Sequence, residues 1–139
     1  MSVALKIPSV LTMLRLTAQR YPKIVAVKDT YRKLTYESLL DEVRRLASYL
    51  RDLGVRPGTL VASCLPRGVA AVVTQAAVFT AGAVHVPIDA DHPDELVSRL
   101  LDGVNARYLV VERERRVIGD VRQIAFGAPG IDESSPDEA

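Results

Sequence analysis

The chain has 139 residues, 48% of them hydrophobic and 25% charged, which is enough apolar content for the core of one ordinary domain. A formal net charge of +1 gives no electrostatic reason to expect nucleic acid or an anionic membrane as partner. A single cysteine, Cys64, excludes an internal disulfide and a thiolate metal site, and its apolar surroundings LVASCLP predict a buried structural thiol.

The start, MSVALKIPSVLTML, lacks a basic leader followed by a long apolar run and a small-residue cleavage site. No stretch reaches the roughly twenty apolar residues that a bilayer span needs, so a cytoplasmic protein is expected. In SVLTMLRLTAQRYP, Val10, Met13, Leu14 and Thr17 share one helical stripe with Leu11 beside it. Ser9 is placed to cap that helix and Pro22 to end it. IVAVKDTYRKLTY predicts two short strands around a turn at Asp29 and Thr30, with Ile24, Val25 and Val27 in the first and Leu34 and Tyr36 in the second.

The clearest periodicity follows in TYESLLDEVRRLASYLRDLGV. Leu39, Leu40, Val43, Leu46, Ala47, Leu50 and Leu53 recur at spacings of three and four, and Glu37, Asp41, Glu42, Arg44, Arg45 and Arg51 form the solvated side. Thr35 is the predicted N-cap, and Gly54 with Pro57 the stop. TLVASCLP is too apolar to alternate and predicts a strand buried on both faces of a parallel sheet. GVAAVVTQAAVFTAGA predicts a helix that is apolar nearly all round, with Gly82 near its end. VHVPID is a short strand, PDELVSRLLDGV a helix with Pro93 in its first turn, and ARYLVVE another buried strand. A charged connection, RERRVIGD, leads to a weaker strand, VRQIAF. The expected fold class is α/β, a layered and largely parallel sheet with flanking helices, over residues 1–126. Residues 127–139, GAPGIDESSPDEA, predict a disordered acidic tail.

No chemistry stands out from the residues themselves. LGVRPG reads as a helix stop and turn rather than a phosphate cradle, and GAPG lies in the tail. His85, inside a strand, is expected to pack or to hydrogen-bond to backbone, and His92, before Pro93, to face solvent. Asp89, Asp91, Asp94 and Glu95 cluster at a helix start, where the helix dipole accounts for them. VERERRV reads as a solvated connection. No catalytic, cofactor-binding or metal-ligating residue is expected.

Two motifs carry a family likeness. LTYESL, with Leu34, Thr35, Tyr36 and Leu39, and AGAVHVPID, running through Gly82 and Pro87 to Asp89 and on to Pro93, stand in order and at a characteristic separation. With LTAQRYPKIVAV before them, they make residues 10–112 resemble the amino-terminal portion of adenylation domains. These belong to the AMP-forming acyl- and aminoacyl-activating superfamily, and the wording is most similar to that of nonribosomal peptide synthetases. His85 stands where the family usually has Tyr, Ala90 where it usually has Pro, and Leu96 where Arg is common.

The resemblance implies a family reaction that joins a carboxylic acid and ATP as an acyl adenylate. The family's phosphate loop, amino-acid pocket, ribose-binding acid and catalytic Lys have no counterpart in the chain, so no catalytic residue carries over. The expectation is a truncated, catalytically incomplete protein, with ATP and Mg engaged only if a partner chain completes it. It would act as an interaction or scaffolding module in peptide-synthetase assembly and natural-product biosynthesis. One half of a split adenylating enzyme is the alternative. The expected contact surface, toward a second copy or a synthetase partner, is Val72, Val73, Ala76, Val78 and Phe79 on the all-round apolar helix.

Overall fold

A computed structural model describes residues 9–127. The elements run α1 (Val10–Arg20), β1 (Val25–Lys28), β2 (Lys33–Thr35), α2 (Tyr36–Asp52), β3 (Leu60–Cys64), α3 (Val69–Thr80), β4 (Val84–Pro87), α4 (Asp94–Val104), β5 (Tyr108–Val111) and β6 (Arg122–Ala125). β1 and β2 form an antiparallel hairpin, and the other four strands form a parallel sheet in the order β4-β3-β5-β6. This is the α/β layered architecture expected from the alternation of strand and helix patterns. The predicted acidic tail, apart from Gly127, and the first eight residues of the predicted domain lie outside the described residues.

α2 forms where its periodicity places it. Thr35 accepts a hydrogen bond from the Ser38 amide at 3.3 Å, and Glu37 sits in the positive first turn. Its core face is Leu39, Val43, Leu46, Ala47 and Leu50, while Leu40 and Leu53 are only half-buried. The two ends of the hairpin differ slightly from expectation. Ile24 lies before β1, and Tyr36 opens α2 instead of closing β2.

The stripe predicted for α1 is rotated. Leu11 and Ala18 are buried, whereas Val10 and Met13 are exposed. α1 packs against α2 and α3 over a narrow contact, so a face one residue away from the predicted one suffices to seat it.

The parallel sheet separates two cores. On one face Val61, Val110 and Ile124 meet α2 and α3; on the other Ala62, Cys64, Leu109 and Val111 meet α4. Successive side chains of a strand point to opposite faces, which is why β3 and β5 read as unbroken apolar runs. α3 and α4 therefore cover opposite faces of the sheet, and the loops leaving the adjacent strands β3 and β4 diverge.

Candidate functional site

In an open parallel sheet, a crevice opens at the carboxyl ends of neighbouring strands whose following loops leave toward opposite faces. Here that place lies between β3 and β4. A cleft of about 520 Å³ is formed there by residues 65–67 on one side and residues 87–91 on the other. Two prolines, Pro66 and Pro87, stiffen its walls, and Arg67, Asp89 and Asp91 are its charged members. Asp89 is committed locally: its Oδ1 accepts from the Asp91 amide at 2.9 Å, and its carbonyl accepts from the His92 amide at 3.1 Å. Such a turn fixes the loop backbone at the crevice mouth.

Both helix amino termini at this edge are already answered by carboxylates. α3 begins directly beyond the crevice, and its first amide, Val69 N, donates at 2.8 Å to Asp29 Oδ2, a side chain that reaches over from the β1–β2 turn. Asp29 Oδ1 accepts from the Tyr31 and Arg32 amides at 2.8 and 2.9 Å. The Val69 amide, followed by those of Arg32 and Tyr31, holds the Asp29 carboxyl below its ordinary range. α4 opens with Asp94 and Glu95 in its first turn, and no side chain caps it; Pro93 is the N-cap, one position before its predicted place in the first turn. Phosphate groups bind helix amino termini through unpaired amides and the positive dipole end. At α3 an internal carboxylate takes that role, and at α4 the first turn holds Asp94 and Glu95, ion-paired with Arg115 and Arg99.

Arg115 was read from the sequence as part of a solvated connection, and the structure corrects this. Its side chain is only 18% exposed. Nε donates to Asp94 Oδ1 at 2.7 Å, Nη1 to Cys64 Sγ at 2.9 Å and to the Ala90 carbonyl at 3.2 Å, and Nη2 to the His92 carbonyl. The guanidinium holds the Asp94 carboxyl below its ordinary range. Burial raises the pKa of the Cys64 thiol, and the Arg115 charge opposes that shift. Cys64 itself is buried, as expected.

Of the two histidines, His85 packs as expected and His92 differs from expectation. His85 lies on the face covered by α3 and away from the crevice. It shares a hydrogen bond with the Ser63 hydroxyl at 2.8 Å rather than with backbone, and meets the Phe79 ring edge-on at 6.2 Å. Burial lowers its pKa. His92 is half-buried, not solvent-facing, and its carbonyl accepts from Arg115.

The motif residues divide among four places. Leu34 and Leu39 are buried in the larger core, and Thr35 and Tyr36 form the joint between β2 and α2. Gly82 lies at the opposite, amino-terminal end of β4, where φ is +77° and its carbonyl accepts from the Gly58 amide at 3.0 Å. Only Pro87 and Asp89 line the crevice, with Pro93 just beyond it. The predicted contact surface is narrower than expected. Val73 and Val78 are buried in the chain's own core and cannot belong to it, Ala76 is half-buried, and Val72 and Phe79 face outward. Among the described residues, no three His, Cys, Asp or Glu side chains group so as to hold a metal ion, and no helix is long and apolar enough to cross a membrane.

Comparison with known proteins supplies the context for this edge. The family model for AMP-binding enzymes matches residues 14–134. The N-(5-amino-5-carboxypentanoyl)-L-cysteinyl-D-valine synthase of Penicillium rubens is 41% identical over 108 residues, covering 73% of this chain and 3% of that protein. An artificially fused adenylation-PCP di-domain synthetase from Klebsiella oxytoca superposes with a TM-score of 0.82 at 25% identity, covering 94% of this chain and 25% of that one. The nonribosomal peptide synthetase FmoA3, solved with α-methyl-L-serine-AMP bound, gives a TM-score of 0.86 at 25% identity, covering 96% of this chain and 16% of its own. The chain thus spans only a small part of the proteins it matches. It belongs to the AMP-binding enzyme family and corresponds to the amino-terminal part of a nonribosomal peptide synthetase adenylation domain.

Proposed function

We propose that this polypeptide acts by contact within a peptide-synthetase assembly. It is a framework layer of an adenylating unit that makes an acyl adenylate from a carboxylic acid and ATP, and it supplies none of the reacting groups. The observation that carries this reading is the state of the α3 amino terminus. The amide at the head of the crevice donates to Asp29 at 2.8 Å, so a triphosphate arriving there would have to displace an internal carboxylate. The first turn of α4 is likewise occupied by acids of the chain, Asp94 and Glu95, paired with Arg115 and Arg99. A nucleotide grip then has to come from other polypeptide.

The outward side of α3, with the adjoining edge strand β4, is the contact surface this reading assigns. Val72, Phe79 and Val84 are 40%, 43% and 47% exposed. The occupant is the remainder of the adenylating unit, since the chain makes up only 25% of the adenylation-PCP protein it superposes on. Covering three such side chains is worth on the order of a few kcal/mol at about 25 cal/mol per Å².

Calorimetry with ATP and pyrophosphate exchange with a panel of amino acids test the reading. The isolated chain is expected to bind no ATP and to catalyse no exchange. Stoichiometric ATP capture by the chain alone would falsify it. Exchange that appears on adding a separate polypeptide bearing a phosphate loop would favour the split-enzyme reading. Sedimentation at micromolar concentration should give a monomer, whereas a dimer lost in Val72→Asp would assign the face to a second copy.

A further inference from the structure

The geometry points to Arg115 as a positioning residue that clasps the β4–α4 loop onto the end of β3 and so fixes one wall of the crevice. Its guanidinium joins four separate points of the fold: the last residue of β3 through Cys64 Sγ, two loop carbonyls at Ala90 and His92, and the first residue of α4 through Asp94. A planar group with five donors in a fixed fork can satisfy such a set at once; a lysine ammonium cannot. The arginine is itself anchored. Its amide donates to Gln123 Oε1 at 2.8 Å, and its carbonyl accepts from Gln123 Nε2 at 2.7 Å, so β6 holds the backbone that carries the clasp. The next residues are stitched to α4, through Arg116 N to Asp94 Oδ2 at 3.3 Å and Ile118 N to Ser98 Oγ at 3.0 Å.

The loop has few other ties. Its internal turn uses Asp89, Ile88 N donates to the Ser63 carbonyl at 2.7 Å, and the Cys64 thiol makes a long contact of 3.6 Å to the Asp89 carbonyl; beyond these, the carbonyls at positions 90 and 92 point to Arg115. Removing the guanidinium leaves Asp94 without its ion-pair partner and the two carbonyls without a donor. The loop should then open locally, uncovering Cys64, which is 3% exposed in the closed form. This inference rests on geometry alone and stands whether or not the contact role proposed above does.

Cys64 is the only cysteine and therefore reports the opening directly. The test follows, in the full 139-residue chain, the rate at which a neutral aromatic disulfide modifies the thiol, together with amide exchange along the backbone. In Arg115→Met, modification is expected to accelerate by about ten- to a hundredfold, the loss of one or two charge-assisted hydrogen bonds. Exchange should rise at residues 88–94 and 112–118 while the amides of α2 stay protected. Loss of a neighbouring cation by itself makes a thiolate scarcer and would slow the reaction, so acceleration reports opening rather than altered thiol chemistry. Arg115→Lys keeps the charge near Asp94 but not the fork, and should give the same local pattern at smaller amplitude. It decides the matter if Arg115→Met does not fold. An unchanged rate, or exchange rising equally in α2, would overturn the clasp.

Discussion

Gly68 occupies a position that admits no side chain. Its φ of +152° lies in the region L-residues rarely adopt, and a Cβ there would sit 2.5 Å from Asp29 Oδ2. The contact that forbids the Cβ is the one that caps α3, so Gly68→Ala strains the backbone and displaces the cap together. A loss of about 2–4 kcal/mol is expected, to be read from denaturant unfolding. Asp29 makes the same joint pH-dependent. Its carboxyl is held below the ordinary value by the Val69, Arg32 and Tyr31 amides, so its contribution is present above the unfolded pKa and is lost as pH falls through the lowered folded one. Asp94, held down by Arg115, acts in the same direction. Thermal unfolding followed from neutral pH to pH about 3 should therefore fall more steeply in the parent chain than in Asp29→Asn, which has no carboxylate to protonate at that site. Equal slopes would remove Asp29 from the acid response.

At the scale of an element, α3 presents two sides that its sequence does not distinguish. Val78 is fully buried against the sheet and α2, whereas Val72 is 40% exposed on the opposite side. Val78→Ala should cost about 2 kcal/mol, from two buried methyl groups and the cavity they leave, while Val72→Ala should change stability by less than about 0.5 kcal/mol. Chemical denaturation of the two variants separates them; equal losses would mean that the outward side is not outward. A helix apolar all round carries no periodicity to say which stripe meets its own sheet, which is why Val73 and Val78 were expected at a contact surface and are found in the core. α2 was legible because its apolar and charged residues alternate at helical spacing and because Thr35 and Gly54 mark its ends. β3 and β5 were legible because burial on both faces leaves an unbroken apolar run. The two residues that shape the crevice were not. Asp29 caps a helix forty positions later, and Arg115 reaches a thiol fifty-one positions earlier. The first pair is made by the seating of the β1–β2 hairpin beside α3 and the second by the order β4-β3-β5-β6, and neither is written in local spacing.

For the molecule as a whole, the question is whether the two cores unfold together. The larger core joins α2 and α3 to one face of the sheet, and the smaller joins α4 to the other, with β3 and β5 common to both. Alternate residues of a single strand serve the two sides: Val61 the first and Ala62 the second in β3, Val110 the first and Leu109 the second in β5. Loss of either core therefore exposes one face of the strands that hold the other, and a domain of this size is expected to melt in a single transition. Leu46, on α2, and Leu101, on α4, are each 1% exposed and probe the two sides separately. Truncation of either to alanine should cost about 2–5 kcal/mol. If the sheet couples the cores, each variant shifts one transition as a unit, with near-ultraviolet and far-ultraviolet circular dichroism superimposing after normalisation. A second transition appearing only in Leu101→Ala would mean that the α4 side, with the crevice loop and the Arg115 clasp, opens as a unit of its own. The crevice would then be built on the less stable half of the sheet, and its geometry would depend on whatever polypeptide packs against it.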